Sequence, residues 1–326
     1  MVVVTPENFL RAETDLYFSA VAVKDDGLGK FCHRRELIPI DNQNIIRENR
    51  DTVYSAAVFD LDAGPVSLAL PDAGSRFMSM EVIDEDQYVA NVYYDSSIHQ
   101  FTRETIGTRY VLVALRTLLN PSDPDDLSKV RALQDAVTVS QPGGPGRFEI
   151  PAWDRDSQDE VRTALLQLAK TMPDTSKGFG KRGDVDPVQR LVGGAAAWGA
   201  NPQKDAMYLN VTPKENDGKT PYRLTVKDVP VDGFWSAIVY DKHGYIPRNE
   251  KGVYAFNNLV ATKDPDGGVT IQFGGCDGAA KNCIPIVPDW NYMVRLYRPR
   301  REIIEGTWTF PEATKLTGGG QTPLRL

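Results

Sequence analysis

Short stretches of alternating apolar and polar residues fill both ends of this chain. Eleven of them are recognisable, at 53–61, 66–70, 76–83, 88–94, 110–118, 207–212, 222–226, 234–240, 253–256, 269–273 and 292–297. Turn sequences rich in Gly, Pro, Asn and Asp separate them, and Asp264-Pro265-Asp266-Gly267-Gly268 is typical of a hairpin. Strands at this spacing predict a sandwich or a barrel at each end of the chain.

Helical periodicity marks the middle of the chain. Helices are predicted at 123–136, 154–172 and 186–198, and a leading helix begins at Thr5-Pro6-Glu7 and ends at Asp25-Asp26-Gly27. The order predicts a mainly β protein with a helical connector, of the α+β class. The predicted parts are an N-terminal β domain with its leading helix (1–122), the connector (123–203), a C-terminal β domain (204–313) and a disordered tail (314–326).

The polar row Arg47 to Ser55 stands directly before the first long strand. If the row is extended, Arg50, Thr52 and Tyr54 lie on one face, and Asn49 and Asp51 lie on the other. A guanidinium beside a phenol suits an oxyanion, and a carboxylate beside an amide suits a general base or a sugar hydroxyl. Charges this dense are also explained by ion pairs that fix a corner of the fold, and the sequence leaves both interpretations open.

Four further residues are candidates for chemistry. His33 lies upstream of the polar row and is either an acid/base near neutral pH or a structural hydrogen-bonding group. Trp235 and Tyr240 are either sandwich core or a stacking surface for a ring-shaped substrate. Arg295 interrupts an apolar strand, where a guanidinium must meet an anion, a carbonyl cluster or solvent.

Composition excludes several classes of function. The 326 residues are 41% hydrophobic and 25% charged, with a net charge of −7. An acidic chain lacks the basic footprint of nucleic-acid and anionic-membrane binding, so we expect neither partner. No apolar run has the roughly 18 residues that a membrane helix needs, and no basic leader precedes the first helix, so we expect a cytoplasmic protein. The expected partner is a small-molecule ligand, and assembly into a homo-oligomer is left open.

Cysteine and histidine usage predicts no metal centre. The three histidines are scattered without ligand spacing, so neither a metal site nor a cofactor is expected. Cys276 and Cys283 flank a short loop and could pair if oxidised, but in a reducing cytoplasm we expect free thiols.

Several motifs resemble a known pair of bacterial domains. The first set is Gly29-Lys30-Phe31-x-His33-x-Arg35, Asp41-x-Gln43 and Arg47-x-Asn49-Arg50-Asp51-Thr52-Val53-Tyr54-Ser55, which is similar to the domain of unknown function 1254. The second set is Asp228-Val229-Pro230-Val231-Asp232-Gly233-Phe234-Trp235-Ser236 and Trp290-Asn291-Tyr292-x-Val294-Arg295-Leu296-Tyr297-Arg298-Pro299, which is similar to the domain of unknown function 1214. The resemblance spans about Thr5 to Pro311.

The resemblance implies two antiparallel β-sandwich domains joined by helices, the second of them jelly-roll-like. It implies no settled activity. It also places a histidine in relatives where this chain has Gln87, so a metal or acid/base role at that position is in doubt here.

The leading hypothesis is an enzyme that acts on a small oxygen-rich molecule, a carbohydrate derivative or organic acid, in a cleft between the two β domains. Asp51, Tyr54 and His33 are its predicted catalytic residues. The predicted substrate-binding residues are Arg50, Asn49, Trp235, Tyr240 and Arg295. The alternatives are a non-catalytic sugar-binding or assembly module and a metal-dependent oxygenase or hydrolase that uses His33.

Overall fold

The computed structural model describes residues 1–43, 46–172, 174–278 and 280–316. The chain divides into two compact units, and each is discontinuous in sequence. The first unit comprises Met1–Leu37 and Asp51–Met207, and the second comprises Ile38–Arg50 and Tyr208–Leu326. The polar row is therefore cut between Arg50 and Asp51.

Within the described residues, the first unit contains two sheets, four longer helices and one short one. Its strands are β1 (Cys32–His33), β2 (Thr52–Asp60), β3 (Val66–Ala69), β4 (Met78–Asp84), β5 (Val89–Tyr93), β6 (Ile98–Phe101), β7 (Tyr110–Leu118) and β8 (Thr138–Ser140). Its helices are α1 (Phe9–Ser19), which continues as a π-helix (Ala20–Lys24), α2 (Arg103–Ile106), α3 (Asp126–Asp135), α4 (Arg155–Ala169) and α5 (Pro187–Ala196), with 3₁₀ turns at Leu61–Ala63 and Ser176–Gly178.

The five-stranded sheet of this unit, in the order β1-β2-β7-β4-β5, is covered on both faces. Along β7, Val111, Val113 and Leu115 pack with residues of the three-stranded sheet β6-β3-β8. The alternate residues Tyr110 and Leu112 pack against α1 and the π-helix. Burial on both faces explains why β7 is a nearly continuous apolar run.

The helices α1, α4 and α5 form a second layer of the first unit. Asp154 caps α4 by accepting a 2.9 Å hydrogen bond from the backbone N–H of Ser157. Asp186 caps α5 in the same way, and Pro187 supplies its first turn. The apolar residues shared by these helices include Phe9, Leu10, Leu165 and Val192.

The second unit is built from two four-stranded sheets. They are ordered β14-β13-β10-β16 and β12-β11-β15-β9. The strands are β9 (Ala206–Val211), β10 (Tyr222–Val226), β11 (Trp235–Tyr240), β12 (Ala255–Asn257), β13 (Val269–Phe273), β14 (Cys283–Ile284), β15 (Asn291–Tyr297) and β16 (Thr314–Lys315), with helix α6 at Arg301–Ile304. Phe273 of one sheet stacks on Tyr292 of the other with centroids 4.9 Å apart, so the buried aromatic rings join the sheets.

The predicted fold class is confirmed: the protein is mainly β, with several largely antiparallel sheets and connecting helices, in two units. The predicted boundaries at 122/123 and 203/204 and the jelly-roll character of the second domain stay predictions. None of the helices in the described ranges has the length and apolar character to cross a membrane.

Two expectations need correction. Cys276 and Cys283, expected as free thiols, form a disulfide, because their Cα atoms lie 5.5 Å apart across the loop before β14. The predicted disordered tail begins too early, since Thr314–Lys315 pairs with β10. Residues 317–326 of that tail lie outside the described residues.

Candidate functional site

Two buried side chains of the second unit, Arg295 of β15 and Tyr240 of β11, hydrogen-bond to backbone carbonyl oxygens of the polar row. Arg295 is 3% exposed, and its Nη2 donates to the carbonyl oxygens of Arg47 at 2.6 Å and Glu48 at 3.4 Å. The fully buried Tyr240 donates its hydroxyl to the carbonyl oxygen of Glu48 at 2.7 Å. Of the three environments predicted for Arg295 (an anion, a carbonyl cluster or solvent), the carbonyl cluster is therefore present.

Two guanidinium groups lie against the ring of Tyr240. The guanidinium carbon of Arg47 is 5.0 Å from the ring centroid, and that of Arg295 is 5.9 Å away. Burial, and after it the like charge of Arg295, lowers the pKa of the Arg47 guanidinium. Arg47 also donates to the side-chain oxygen of Asn291.

Arg50 and Asn49, two further candidates of the second unit, also form hydrogen bonds within that unit. Arg50 donates to the carbonyl oxygen of Ile38, and its guanidinium lies 5.3 Å from the centroid of Tyr254. Burial lowers the pKa of Arg50. Asn49 donates its amide to the hydroxyl of Tyr297 at 3.1 Å. These contacts anchor the segment Ile38–Arg50 on its own unit.

Trp235 is core rather than an open surface in this structure. It is 4% exposed, and its ring meets Phe310 edge to face with centroids 5.5 Å apart. Its backbone N–H donates a 3.0 Å hydrogen bond to the side-chain oxygen of Asn258. The role of Trp235 as a stacking surface stays a prediction.

In the first unit His33 belongs to a hydrogen-bonded chain. Its Nδ1 lies 2.8 Å from the hydroxyl of Ser55, and that hydroxyl accepts a 3.1 Å hydrogen bond from the amide of Gln134. Burial, followed by the positive charge of Arg35, lowers the pKa of His33, so the imidazole is neutral at pH 7. Ser55 is only 2% exposed, and the chain links β1, β2 and α3.

Asp51 directly precedes β2 and Tyr54 lies within it, in the same unit as His33. Asp51 is 2% exposed, whereas Tyr54 is half-buried. Tyr54 stands opposite Arg116 of β7, and the Arg116 guanidinium lies 5.7 Å from the centroid of its ring.

Arg116 is the centre of a buried polar cluster, which we call the Glu81 cluster. Its members are Tyr54, Glu81, Tyr94, Arg116, Asn201 and Asp205. Arg116 Nη1 donates to Oε2 of Glu81 at 2.6 Å and Nη2 donates to the carbonyl oxygen of Gly199 at 3.2 Å. Glu81 is completely buried, and its Oε1 has no partner among the residues that the structure describes.

Two carboxyl groups share this cluster. Asp205 is 6% exposed and accepts a 3.0 Å hydrogen bond from the hydroxyl of Tyr94. Burial raises the pKa of Glu81; Arg116 opposes this shift, and the negative charge of Asp205 adds to it. Two carboxyl groups in one buried cluster, one of them with a raised pKa, form an arrangement that suits acid–base catalysis.

Two members of this cluster are charged residues inside apolar strands, which is a signal visible in the sequence. Glu81 stands inside Met-Ser-Met-Glu-Val-Ile, and Arg116 stands inside Val-Ala-Leu-Arg-Thr-Leu. A charge inside an apolar strand is the feature that singled out Arg295, and it applies equally to these two residues. Asp205, which lies in a polar stretch, carries no such signal.

A second polar site of the first unit faces a cavity between α1 and α5. The cavity has a volume of about 320 Å³ and is lined by Pro6, Glu7, Leu10, Arg11, Asp86, Tyr88, Arg182, Pro187, Arg190 and Leu191. None of the predicted site residues lines it. We call it the helix cavity.

Two further expectations concern a metal site and the position of Gln87. Within the described ranges no three His, Cys, Asp or Glu side chains gather as metal ligands. Gln87 is 2% exposed, adopts a φ of 70°, and its Oε1 has no partner among the described residues.

The two sandwich-like units and their buried charge clusters define an α+β protein of mainly β character. Within that class, residues 28–103 match the family described as "Protein of unknown function (DUF1254)", and residues 206–301 match "Protein of unknown function (DUF1214)". The chain belongs to the proteins that combine these two families, and the predicted pairing is confirmed. The comparison with curated proteins finds no match.

Two solved structures share the fold. The VPA0106 protein from Vibrio parahaemolyticus is similar with a TM-score of 0.72 and 16% identity, over 96% of this chain and 98% of that one. An uncharacterised protein from Burkholderia cenocepacia is similar with a TM-score of 0.52 and 10% identity, over 95% of this chain and 88% of that one. At these identities the likeness is one of fold.

Proposed function

We propose that the protein is an enzyme that acts on a small oxygen-rich molecule, an organic acid or carbohydrate derivative, and that the Glu81 cluster handles the proton. One observation carries the proposal: Glu81 is a buried carboxyl with a raised pKa and an oxygen that lacks a partner among the described residues, in one cluster with Asp205 and Arg116. Strongly perturbed carboxyl groups concentrate at functional sites.

The roles follow from exposure and charge. Tyr54 and Tyr94 are the half-buried members of the cluster, so their phenols would meet the substrate first. Tyr54 would donate a hydrogen bond to the substrate, as the sequence predicts. Glu81 would act as the acid, because burial raises its pKa, and Asp205 would act as the base.

The second candidate is a module that binds a small molecule or a further copy of this chain without chemistry. The contacts of the second unit favour it, because Arg50, Tyr240 and Arg295 donate to backbone carbonyl oxygens of the segment Ile38–Arg50. Side chains used in this way stabilise a fold and leave fewer donors for a substrate. The jelly-roll character of the second domain stays a prediction. The metal-dependent oxygenase or hydrolase also stays a proposal, and no contact of the described residues favours it.

The test is a thermal-shift screen of sugars, sugar acids and organic acids on the intact chain, followed by turnover assays of each compound that raises the Tm. Glu81→Gln keeps the size of the side chain and loses the titrating group. We expect it to melt cooperatively and to lose turnover by about 100-fold or more. Glu160→Gln, an exposed position on α4, is the matched control and keeps full activity.

One result would decide against the enzyme, and two would decide against the Glu81 cluster as its site. A ligand that binds but is never converted supports the binding module. Unchanged turnover by folded Glu81→Gln rules out the cluster. If Glu81→Gln fails to fold because Arg116 loses its ion pair, Tyr54→Phe tests the same site, and full activity of that variant also rules it out.

The location of the protein belongs to the same proposal. A cytoplasmic protein was expected, whereas the Cys276–Cys283 disulfide is typical of an oxidising compartment. We therefore infer that the protein works outside the reducing cytoplasm. Thiol titration of the purified, unreduced chain tests this inference, since three free thiols would contradict it.

A further inference from the structure

The helix cavity contains an arginine whose hydrogen-bonding capacity is incompletely used. Arg190 Nη2 donates to the carbonyl oxygen of Asp86, and the buried Nε meets no acceptor among the described residues. The guanidinium carbon lies 3.8 Å from the centroid of Tyr88, so one face of the group is covered by an aromatic ring.

The other two arginines of the helix cavity are paired with carboxylates. Arg11 and Arg182 both donate to the carboxylate of Asp86, and Arg11 also lies 3.2 Å from Glu85. Burial would raise the pKa of Asp86, but the hydrogen bonds from Arg182 and Arg11 outweigh burial and hold it below its ordinary value. These charges satisfy one another, whereas Arg190 has no carboxylate partner within the described residues.

The rest of the lining limits the shape and charge of a ligand. Leu10, Leu191, Pro6 and Pro187 give one part of the cavity an apolar surface. Glu7 is exposed, and a hydrogen bond from the hydroxyl of Thr5 lowers its pKa, so the lining keeps a negative charge at neutral pH. A second negative charge on the ligand would be repelled by Glu7.

We propose that the helix cavity is a binding site for a small monocarboxylate with an apolar body, whose carboxylate is held by Arg190. The apolar body packs against Leu10 and Leu191, and the ring of Tyr88 keeps the guanidinium in place. A guanidinium is suited to this task because its N–H groups match the geometry of a carboxylate. The volume of about 320 Å³ fits a ligand of the size of benzoate. The site shares no residue with the Glu81 cluster, so it stands or falls independently of the proposed enzyme.

Isothermal titration of the full chain with benzoate and with benzamide tests the charge requirement. The two probes have nearly the same shape, and only benzoate carries a carboxylate. We expect benzoate to bind at least tenfold more tightly than benzamide at pH 7. Equal binding of the two probes, or no binding of benzoate at 10-fold molar excess in the millimolar range, overturns the proposal.

Two variants with matched controls test the residues. Arg190→Gln should weaken benzoate binding about tenfold or more, because a hydrogen bond to a charged group is lost, whereas Arg155→Gln on α4 should leave it unchanged. Leu191→Phe fills the cavity and keeps Arg190, so it should also abolish binding, whereas Val188→Phe, exposed on the same helix, should not. Native affinity in folded Leu191→Phe contradicts the site even if Arg190→Gln fails to fold. Glu81→Gln should bind benzoate as the native chain does.

Discussion

At the scale of single residues, Asp15 shows how burial sets the behaviour of a carboxyl group. It is completely buried on α1, it accepts a 2.7 Å hydrogen bond from the indole N–H of Trp153, and its Oδ1 has no partner among the described residues. Burial raises its pKa from 3.8 to about 6; the Trp153 bond and Arg11 oppose this shift, while Glu85 and Asp86 add to it. The folded protein therefore binds the Asp15 proton more tightly than the unfolded chain does.

The consequence is a stability that falls with rising pH at this residue. A raised carboxyl pKa contributes stability that is complete below about pH 4 and is lost as the pH rises through about 6. Asp15→Asn can accept the same Trp153 hydrogen bond and cannot ionise. Relative to the native chain, we expect this variant to be more stable at pH 7 than at pH 4. Its free energy of unfolding should gain up to about 3 kcal/mol between these pH values, from a shift of roughly two pKa units.

Urea denaturation of both proteins at pH 4, 5.5 and 7 measures this difference. Asp156→Asn, exposed in the first turn of α4, is the control and should show a difference that changes little with pH. A constant difference for Asp15→Asn across the three pH values would show that folding does not shift the pKa of Asp15.

At the scale of elements, the long strands were predictable, whereas several of the short ones were not. Tyr110–Leu118 and Val269–Phe273 have the bounds that alternation and apolar runs predict. Ile98–Phe101 was missed because it is only four residues long and exposes Ile98 to 76%, so that Phe101 is its one buried apolar residue. Thr138–Ser140 was missed because it is exposed throughout. Strands of this kind exist through pairing with β3, which a single sequence does not display.

The candidate sites depend on the same long-range pairing. Glu81 and Arg116 are 35 positions apart and meet because β4 and β7 are adjacent in the sheet. The helix cavity requires α1 and α5 to lie side by side, and only tertiary packing brings Leu10 close to Gly194. Residue type could single out Glu81, but no sequence pattern joins it to Asp205.

The Cys276–Cys283 disulfide gives a prediction for one element. It closes a loop over a separation of 7 residues before β14, so it restricts the unfolded chain by about 2 kcal/mol in the loop-entropy estimate. We expect the double variant Cys276→Ser/Cys283→Ser to lose about that much stability. Thiol titration in denaturant should find one thiol, that of Cys32, before reduction and three after it.

Cys32→Ser is the control for that titration and should give no thiol before reduction and two after it. Three thiols in the unreduced native chain would exclude the disulfide and remove the argument for an oxidising compartment. The stability of the double variant would then equal that of the native chain.

At the scale of the whole molecule, the second unit is completed by a segment from far upstream. Ile38–Arg50 clusters with residues 208–326, and Ile40 packs on the core formed by Ile238, Tyr240, Ile246 and Met293. The buried guanidinium of Arg295 also finds acceptors on this segment. A fragment that starts near residue 204 lacks both contributions.

We therefore expect fragment 204–316 alone to melt without cooperativity. The same fragment with Ile38–Arg50 fused to its N-terminus through a Gly/Ser linker should melt cooperatively and should show aromatic near-UV circular dichroism. A fusion that carries the same 13 residues (38 to 50) in scrambled order is the control. Cooperative melting of the bare fragment would show that the upstream segment is dispensable.

The discontinuity of the second unit also has a consequence during synthesis. The ribosome delivers Arg50 long before Tyr208, with 157 residues (208 − 50 − 1) in between. At roughly 5 to 20 residues per second, the upstream segment waits about 8 to 30 s for its partner strands. During that time its isoleucines are candidates for capture by a chaperone, and release must await the final strands of the nascent chain.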